Sequence, residues 1–169
     1  MEKIGLFYGS NLGATEEVSQ IFKKILKDKV EIHNIAYAGI DEMKNYSNII
    51  VGSPTWGYGD LQDDWQFFIE DNPSIELSGK KVAIFGLGDQ DAHHDVFVNA
   101  MGHLHTYFEG NNAKMIGFWP TEGYSYGNET TAVKDGKFLG LPVDEVNQPN
   151  LTEERVKRWI DLLLVEFKL

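Results

Sequence analysis

Three clusters of small and polar residues carry the groups with which this chain can do chemistry. The first is Gly9-Ser10-Asn11-Leu12-Gly13-Ala14-Thr15. Small residues let the backbone curl so that several N–H groups aim at one point, the N–H of Leu12 among them. The hydroxyls of Ser10 and Thr15 and the amide of Asn11 add donors. A helix beginning here adds about half a positive charge at its N-terminus. Together these groups suit a phosphate held without a cation. The Lys and spacing of a G-x-x-x-x-G-K-[ST] loop are absent, and so is G-x-G-x-x-G. The same residues also make an ordinary strand-to-helix turn rich in caps. The second cluster is Ser53-Pro54-Thr55-Trp56-Gly57-Tyr58-Gly59-Asp60. A large aromatic in a Gly-rich exposed turn is badly placed for a core and well placed to stack on a flat ligand. The competing reading is a scattered surface Trp. The third is Gly86-Leu87-Gly88-Asp89-Gln90-Asp91-Ala92-His93-His94-Asp95, where small residues again precede polar groups and a planar ring.

Other chemistries have fewer means. Cysteine is absent, which removes disulfides, thiolate nucleophiles, Cys-ligated zinc and cysteine-held iron–sulfur clusters. His93 and His94 are adjacent, and two adjacent His seldom share one ion without a third placed ligand. His103 and His105 do not face each other on a helix and read as surface or rim residues. The formal charge of −11 repels phosphate backbones and anionic membranes and suits a partner with a basic face. No apolar run approaches the roughly 18–20 residues of a membrane span. The start Met1-Glu2-Lys3-Ile4-Gly5 lacks signal-peptide architecture, so the expected compartment is the cytoplasm.

The clusters need a frame. Ile4–Tyr8, Ile49–Gly52, Val82–Gly86 and Met115–Trp119 are nearly continuous apolar runs, the pattern of strands covered on both faces in a parallel sheet. Val30–Ile35 alternates and reads as an edge strand. Helical periodicity links Val18, Ile21, Phe22, Ile25 and Leu26. It also links Phe97, Ala100, Met101, Leu104 and Phe108, and Val156, Trp159, Ile160, Leu163, Leu164 and Phe167. Leu61, Trp65, Phe68 and Ile69 make a shorter version, and Thr152 is the expected N-cap of the last helix. With 169 residues, 42% of them apolar, the chain is expected to form one α/β domain with an open sheet. Residues 120–140 break the alternation: Gly123, Gly127, Gly136 and Gly140 crowd there without a helical period. A long structureless loop inside a compact domain is uncommon and usually functional.

Taken together, the three clusters resemble the flavodoxins. The resemblance rests on G-L-F-Y-G-S-N-x-G-x-T, P-T-W-G-Y-G-D-L-Q-D-D-W and F-G-L-G-D-Q, and it covers essentially the whole chain. The W-P-T-E-G-Y, D-G-K-F-L-G-L and N-Q segments are similar to the long-chain subgroup, whose last strand is interrupted by a long insertion. The resemblance implies a flavodoxin-like five-stranded parallel sheet in order 2-1-3-4-5 with helices on both faces. It implies non-covalent FMN and low-potential electron transfer. Carried over by position, Ser10, Asn11, Gly13, Ala14 and Thr15 match the phosphate loop. Ser53, Pro54, Thr55, Trp56, Gly57, Tyr58 and Gly59 match the loop on one face of the isoalloxazine. Gly88, Asp89 and His93 match the other face and the pyrimidine edge. Leu12 stands where the family usually has Thr, His93 where it has Tyr, and Val96 where long-chain members often have Asn.

Family behaviour implies that the Gly57 carbonyl turns toward flavin N5 on one-electron reduction, a movement that a residue without Cβ tolerates. Asp60, Asp63, Asp64, Asp89, Asp91 and Asp95 are expected in loops at the flavin edge, where like charges disfavour an anionic reduced flavin. His93, protonated, stabilises that anion; neutral, it is a stacking ring. The expected protein is an electron carrier, a monomer shuttling between a basic-faced flavoprotein reductase and a low-potential acceptor enzyme. The alternative is an NAD(P)H-dependent FMN reductase of the same fold class. A phospho-acceptor receiver domain needs acids after the first strand and at the end of the third, where Gly9-Ser10 and Ser53 stand.

Overall fold

The computed structural model describes residues 2–169; Met1, the start of the N-terminal run discussed above, lies outside them. Strand β1 (Ile4–Tyr8) is buried along its whole length, as its continuous apolar run requires. It pairs in parallel with β2 (Val30–Asn34) on one side and β3 (Asn48–Trp56) on the other. β3 forms a short antiparallel hairpin with β4 (Asp60–Leu61) and pairs in parallel with β5 (Lys81–Leu87). Two short strands, β6 (Lys114–Ile116) and β10 (Leu141–Val143), both pair in parallel with β5, at opposite ends of it. The main order is therefore β2-β1-β3-β5 followed by a last strand in two pieces, the 2-1-3-4-5 arrangement with an interruption.

Helices α1 (Ala14–Leu26), α2 (Ile40–Lys44), α3 (Asp63–Asp71), α4 (Ala100–Gly110) and α5 (Thr152–Phe167) connect and cover the strands. α1 and α5 meet edge to face through Phe22 and Trp159, with Phe22 also against Phe85 of β5. α3 and α4 meet through Trp65 and Phe108. Gly86, the strand neighbour of Phe85, faces Met101 of α4, so the two helix pairs lie on opposite faces of the sheet. Phe22 is fully buried, which contributes about 1.5–3 kcal/mol. No helix among the described residues is long and apolar enough to cross a membrane.

Four local readings change. The run Met115–Trp119 is not one strand: Gly117 turns at φ 82, β6 ends before it, and Trp119 begins a different sheet. Residues 120–140 are not structureless. They hold β8 (Val133–Lys134) and β9 (Lys137–Phe138), which with β7 (Trp119–Pro120) form a small antiparallel sheet, β7-β9-β8. Phe97 and Leu61 precede their helices, and Thr152 lies inside the first turn of α5, with Leu151 at the cap position. His105 is buried, with Nε2 3.2 Å from Glu109, and is no surface residue.

Candidate functional site

The carboxyl ends of β1, β3 and β5 lie side by side, and the three clusters follow them, so all three reach one rim of the sheet. The parts are stitched together. Gly9 N–H donates to Gly52 O at 3.0 Å. Gln62 Nε2, two residues past the second cluster, donates to Asn11 Oδ1 at 2.8 Å and ties the start of α3 to the first cluster.

In the first cluster, Ser10 Oγ accepts the Gly13 N–H at 2.9 Å and closes the turn. Gly13 sits at φ 92, a conformation that favours glycine, and space is open where its Cβ would be. α1 starts at Ala14, and its first intrahelical bond runs from Glu17 N to Gly13 O. The N–H groups of Ala14, Thr15 and Glu16 therefore have no intrahelical acceptor. Thr15 is buried, yet its hydroxyl has no hydrogen-bond partner among the described residues. Leu12 stands 86% exposed at the tip. An unpartnered buried hydroxyl beside open helix donors fits an anion with several acceptor oxygens, such as a phosphate monoester. The cluster itself supplies no Lys or Arg.

The second cluster is half strand. Ser53, Pro54, Thr55 and Trp56 continue β3, with Ser53 fully buried and Trp56 36% exposed. Trp56 pairs with Asp60 across the hairpin, so Gly57, Tyr58 and Gly59 form the turn. Gly57 has φ 52 and Gly59 φ 86. Gly59 O accepts from Asn99 Nδ2 at 2.7 Å, with His103 Nε2 3.1 Å away. Thr55 Oγ1 accepts the Ala100 N–H at 3.1 Å, which satisfies an open donor at the start of α4. Tyr58 is exposed and its hydroxyl donates to Glu129, a bond that raises its pKa.

In the third cluster, Gly88 N–H donates to Val143 O at 3.1 Å, and Asp89 Oδ1 accepts from the N–H groups of Asp91 and Ala92. Asn147 Nδ2 also donates to Asp89, at 2.8 Å. The backbone N–H of Ala92 and the side-chain amide of Asn147 hold the Asp89 carboxyl below its usual range. His93 is exposed; its N–H donates to Asp89 O at 2.9 Å. His94 Nε2 lies 3.1 Å from Ser125 Oγ. Asp63 and Asp64 are in the first turn of α3 rather than in a loop.

The anchor beneath this cluster is Asp144, fully buried and absent from the sequence expectations. Its carboxylate accepts from the N–H groups of Gln90, Val146 and Asn147 and from the side-chain amides of Gln90 (2.7 Å) and Asn147 (2.9 Å). Burial opposes its charge, but the bonds from Asn147 and Gln90 prevail and lower its pKa. A depressed carboxyl stabilises the fold above the unfolded value of about 3.9, and that stability disappears as the pH falls through the folded pKa. The unfolding free energy is therefore expected to decline below about pH 4. Asp144→Asn, which turns an amide donor toward these donors, is expected to cost about 1–3 kcal/mol in urea denaturation and to lose the part of that acid-dependent decline that Asp144 contributes beside Asp89. Equal urea midpoints would remove Asp144 from this role.

Sequence reasoning also missed Gln62 and Asn99; His103, read as a surface or rim residue, is exposed at this rim. Gln62 stands in the second motif without an assigned task; Asn99 and His103 reach the turn only through tertiary packing of α4.

The flavodoxin family model matches residues 6–159. A flavodoxin of Synechocystis is 47% identical over 162 residues, covering 95% of each chain. Flavodoxin 1 of Azotobacter vinelandii is 39% identical over 99% of this chain and 98% of its own. The crystal structure of Fusobacterium nucleatum flavodoxin bound to flavin mononucleotide superposes with a TM-score of 0.92, at 34% identity, over 98% of this chain and 99% of that one.

Proposed function

We infer the function from one premise: this chain belongs to the flavodoxin family. It is an electron carrier that works with FMN, and not an enzyme with a substrate of its own. The observation that carries the assignment of the site is the Thr15 hydroxyl, buried without a partner among the described residues in the first turn of α1, whose N–H groups are open. Ser10, Asn11, Gly13, Ala14 and Thr15, with the Leu12 N–H, would hold the phosphate. Ser53 to Gly59 would line one side of the isoalloxazine, with Trp56 as the stacking surface. Gly88, Asp89 and His93 would line the other side and the pyrimidine edge.

Bound FMN supplies the one-electron redox chemistry, and the protein sets its conditions. The Gly57–Tyr58 peptide sits in a turn whose anchors are the Gly59 carbonyl and the Tyr58 hydroxyl, which leaves the Gly57 carbonyl the group able to reorient. Asp60, Asp89, Asp91 and Asp95 put negative charge at this rim and oppose further negative charge there. The net charge of −11 supports partners with basic faces: a flavoprotein reductase upstream and a low-potential acceptor enzyme downstream, met in brief, salt-sensitive encounters. A monomer in the cytoplasm fits that task.

The test is a titration of the apoprotein with FMN followed by stepwise reduction. Stoichiometric binding, two resolved one-electron steps and no NADPH oxidation by the protein alone are expected. Failure to bind FMN would overturn the assignment of the site, and catalytic NADPH oxidation would overturn the carrier.

A further inference from the structure

We propose that Asn99 is a positioning residue for the Gly57–Gly59 turn, and that the segment 121–132 acts on the cofactor site through it. The proposal rests on the reading of that turn as one wall of the FMN site. Asn99 is 9% exposed and uses both ends of its amide. Nδ2 donates to Gly59 O at 2.7 Å. Oδ1 accepts from Thr131 N at 2.7 Å and Thr131 Oγ1 at 2.9 Å. One side chain therefore joins two segments far apart in sequence.

Two features independent of these bonds show that the junction is fixed by its surroundings. Val98, just before Asn99, has φ 46. A β-branched residue there carries strain of order 1–3 kcal/mol, which persists only where its surroundings over-determine it. Gly102, one helical turn after Asn99, presents bare backbone to Thr131: a Cβ there would lie 2.0 Å from Thr131 Oγ1 and 2.8 Å from Thr131 O. Glycine at 102 is what lets the segment close onto α4 far enough for Thr131 to reach Asn99. The same segment grips the turn a second time, through Glu129 and the Tyr58 hydroxyl. The interruption of the last strand thus supplies a back-stop to the turn, and the turn's rigidity at Gly59 is set from there.

The test uses Asn99→Leu, a neutral replacement of similar size, and Gly102→Ala, which displaces Thr131 while leaving Asn99 in place. Amide hydrogen exchange of the apoprotein is expected to speed up at least tenfold in the paired ends of the β3–β4 hairpin that carry the turn, in either variant, beyond any change elsewhere. In the FMN-loaded protein the FMN dissociation constant is expected to rise at least fivefold. The ratio of the two one-electron reduction constants is expected to shift by a similar factor. Exchange in those hairpin ends speeded no more than in the remainder of the molecule overturns the proposal, even with a lowered melting temperature. So do an FMN dissociation constant and a reduction ratio equal to the parent's. If the parent itself fails to bind FMN, the reading of the site falls, while the exchange result still decides whether Asn99 holds the turn.

Discussion

Thr15→Val is expected to weaken FMN binding about tenfold to a hundredfold while its apoprotein melts no lower than the parent. The two halves of this result come from one observation. The Thr15 hydroxyl is buried and bonds to nothing among the described residues, whereas the Thr15 carbonyl already accepts from Ser19 Oγ at 2.8 Å. Valine keeps the shape and removes only the hydroxyl. Without ligand, a buried unpartnered polar group costs stability, so its loss is neutral or favourable. With ligand, a hydrogen bond to a charged acceptor contributes about 1.5–3 kcal/mol, and about 1.4 kcal/mol is a factor of ten. Fluorescence titration with FMN and a melting curve of the apoprotein read the two effects separately. A variant that binds FMN as tightly as the parent would show that the phosphate lies elsewhere, and a less stable apoprotein would show that the hydroxyl has a partner within the fold.

The second large effect concerns the frame. Gly140 precedes β10, and a Cβ there would stand 1.9 Å from the backbone oxygen of Ile84 and 2.8 Å from its carbonyl carbon. A side-chain clash can be relieved by a rotamer change; this one requires β5 and the start of β10 to move apart. Gly140→Ala is expected to cost about 3 kcal/mol or more. At this chain length that corresponds to a melting temperature lower by about 6–12 °C. The damage spreads to the site, because β10 leads directly into Asp144, the anchor of the third cluster. Weaker FMN binding should accompany the lower melting temperature. A change of less than about 2 °C would mean that the strand end yields more easily than its backbone contact allows.

Legibility in the sequence followed the range of the interactions. Ile4–Tyr8 and Val82–Gly86 read as buried strands because both faces of each are covered and every position is apolar. The three clusters were visible because glycine and small polar residues seldom crowd together without a turn that needs them. The apolar run at Met115–Trp119 misled because hydrophobicity does not record direction: Gly117 turns the chain by its φ of 82, and the run divides between two sheets. The strands β7, β8 and β9 have two residues each, too short for any periodicity. Asp144 looks like any loop acid until five donors converge on it from residues 90, 146 and 147. Asn99 was hidden for the same reason, since its partners Gly59 and Thr131 are distant in the chain.

The divided last strand has a consequence for solubility. A sheet whose margin is one long ribbon offers an unbroken ladder of amides on which another molecule can add itself. Here that margin consists of two three-residue pieces at opposite ends of β5, with the small three-stranded sheet inserted between them along the chain. Such short fragments are poor templates for intermolecular strand addition. Copies of the chain are thereby given little purchase for adding to one another along that flank.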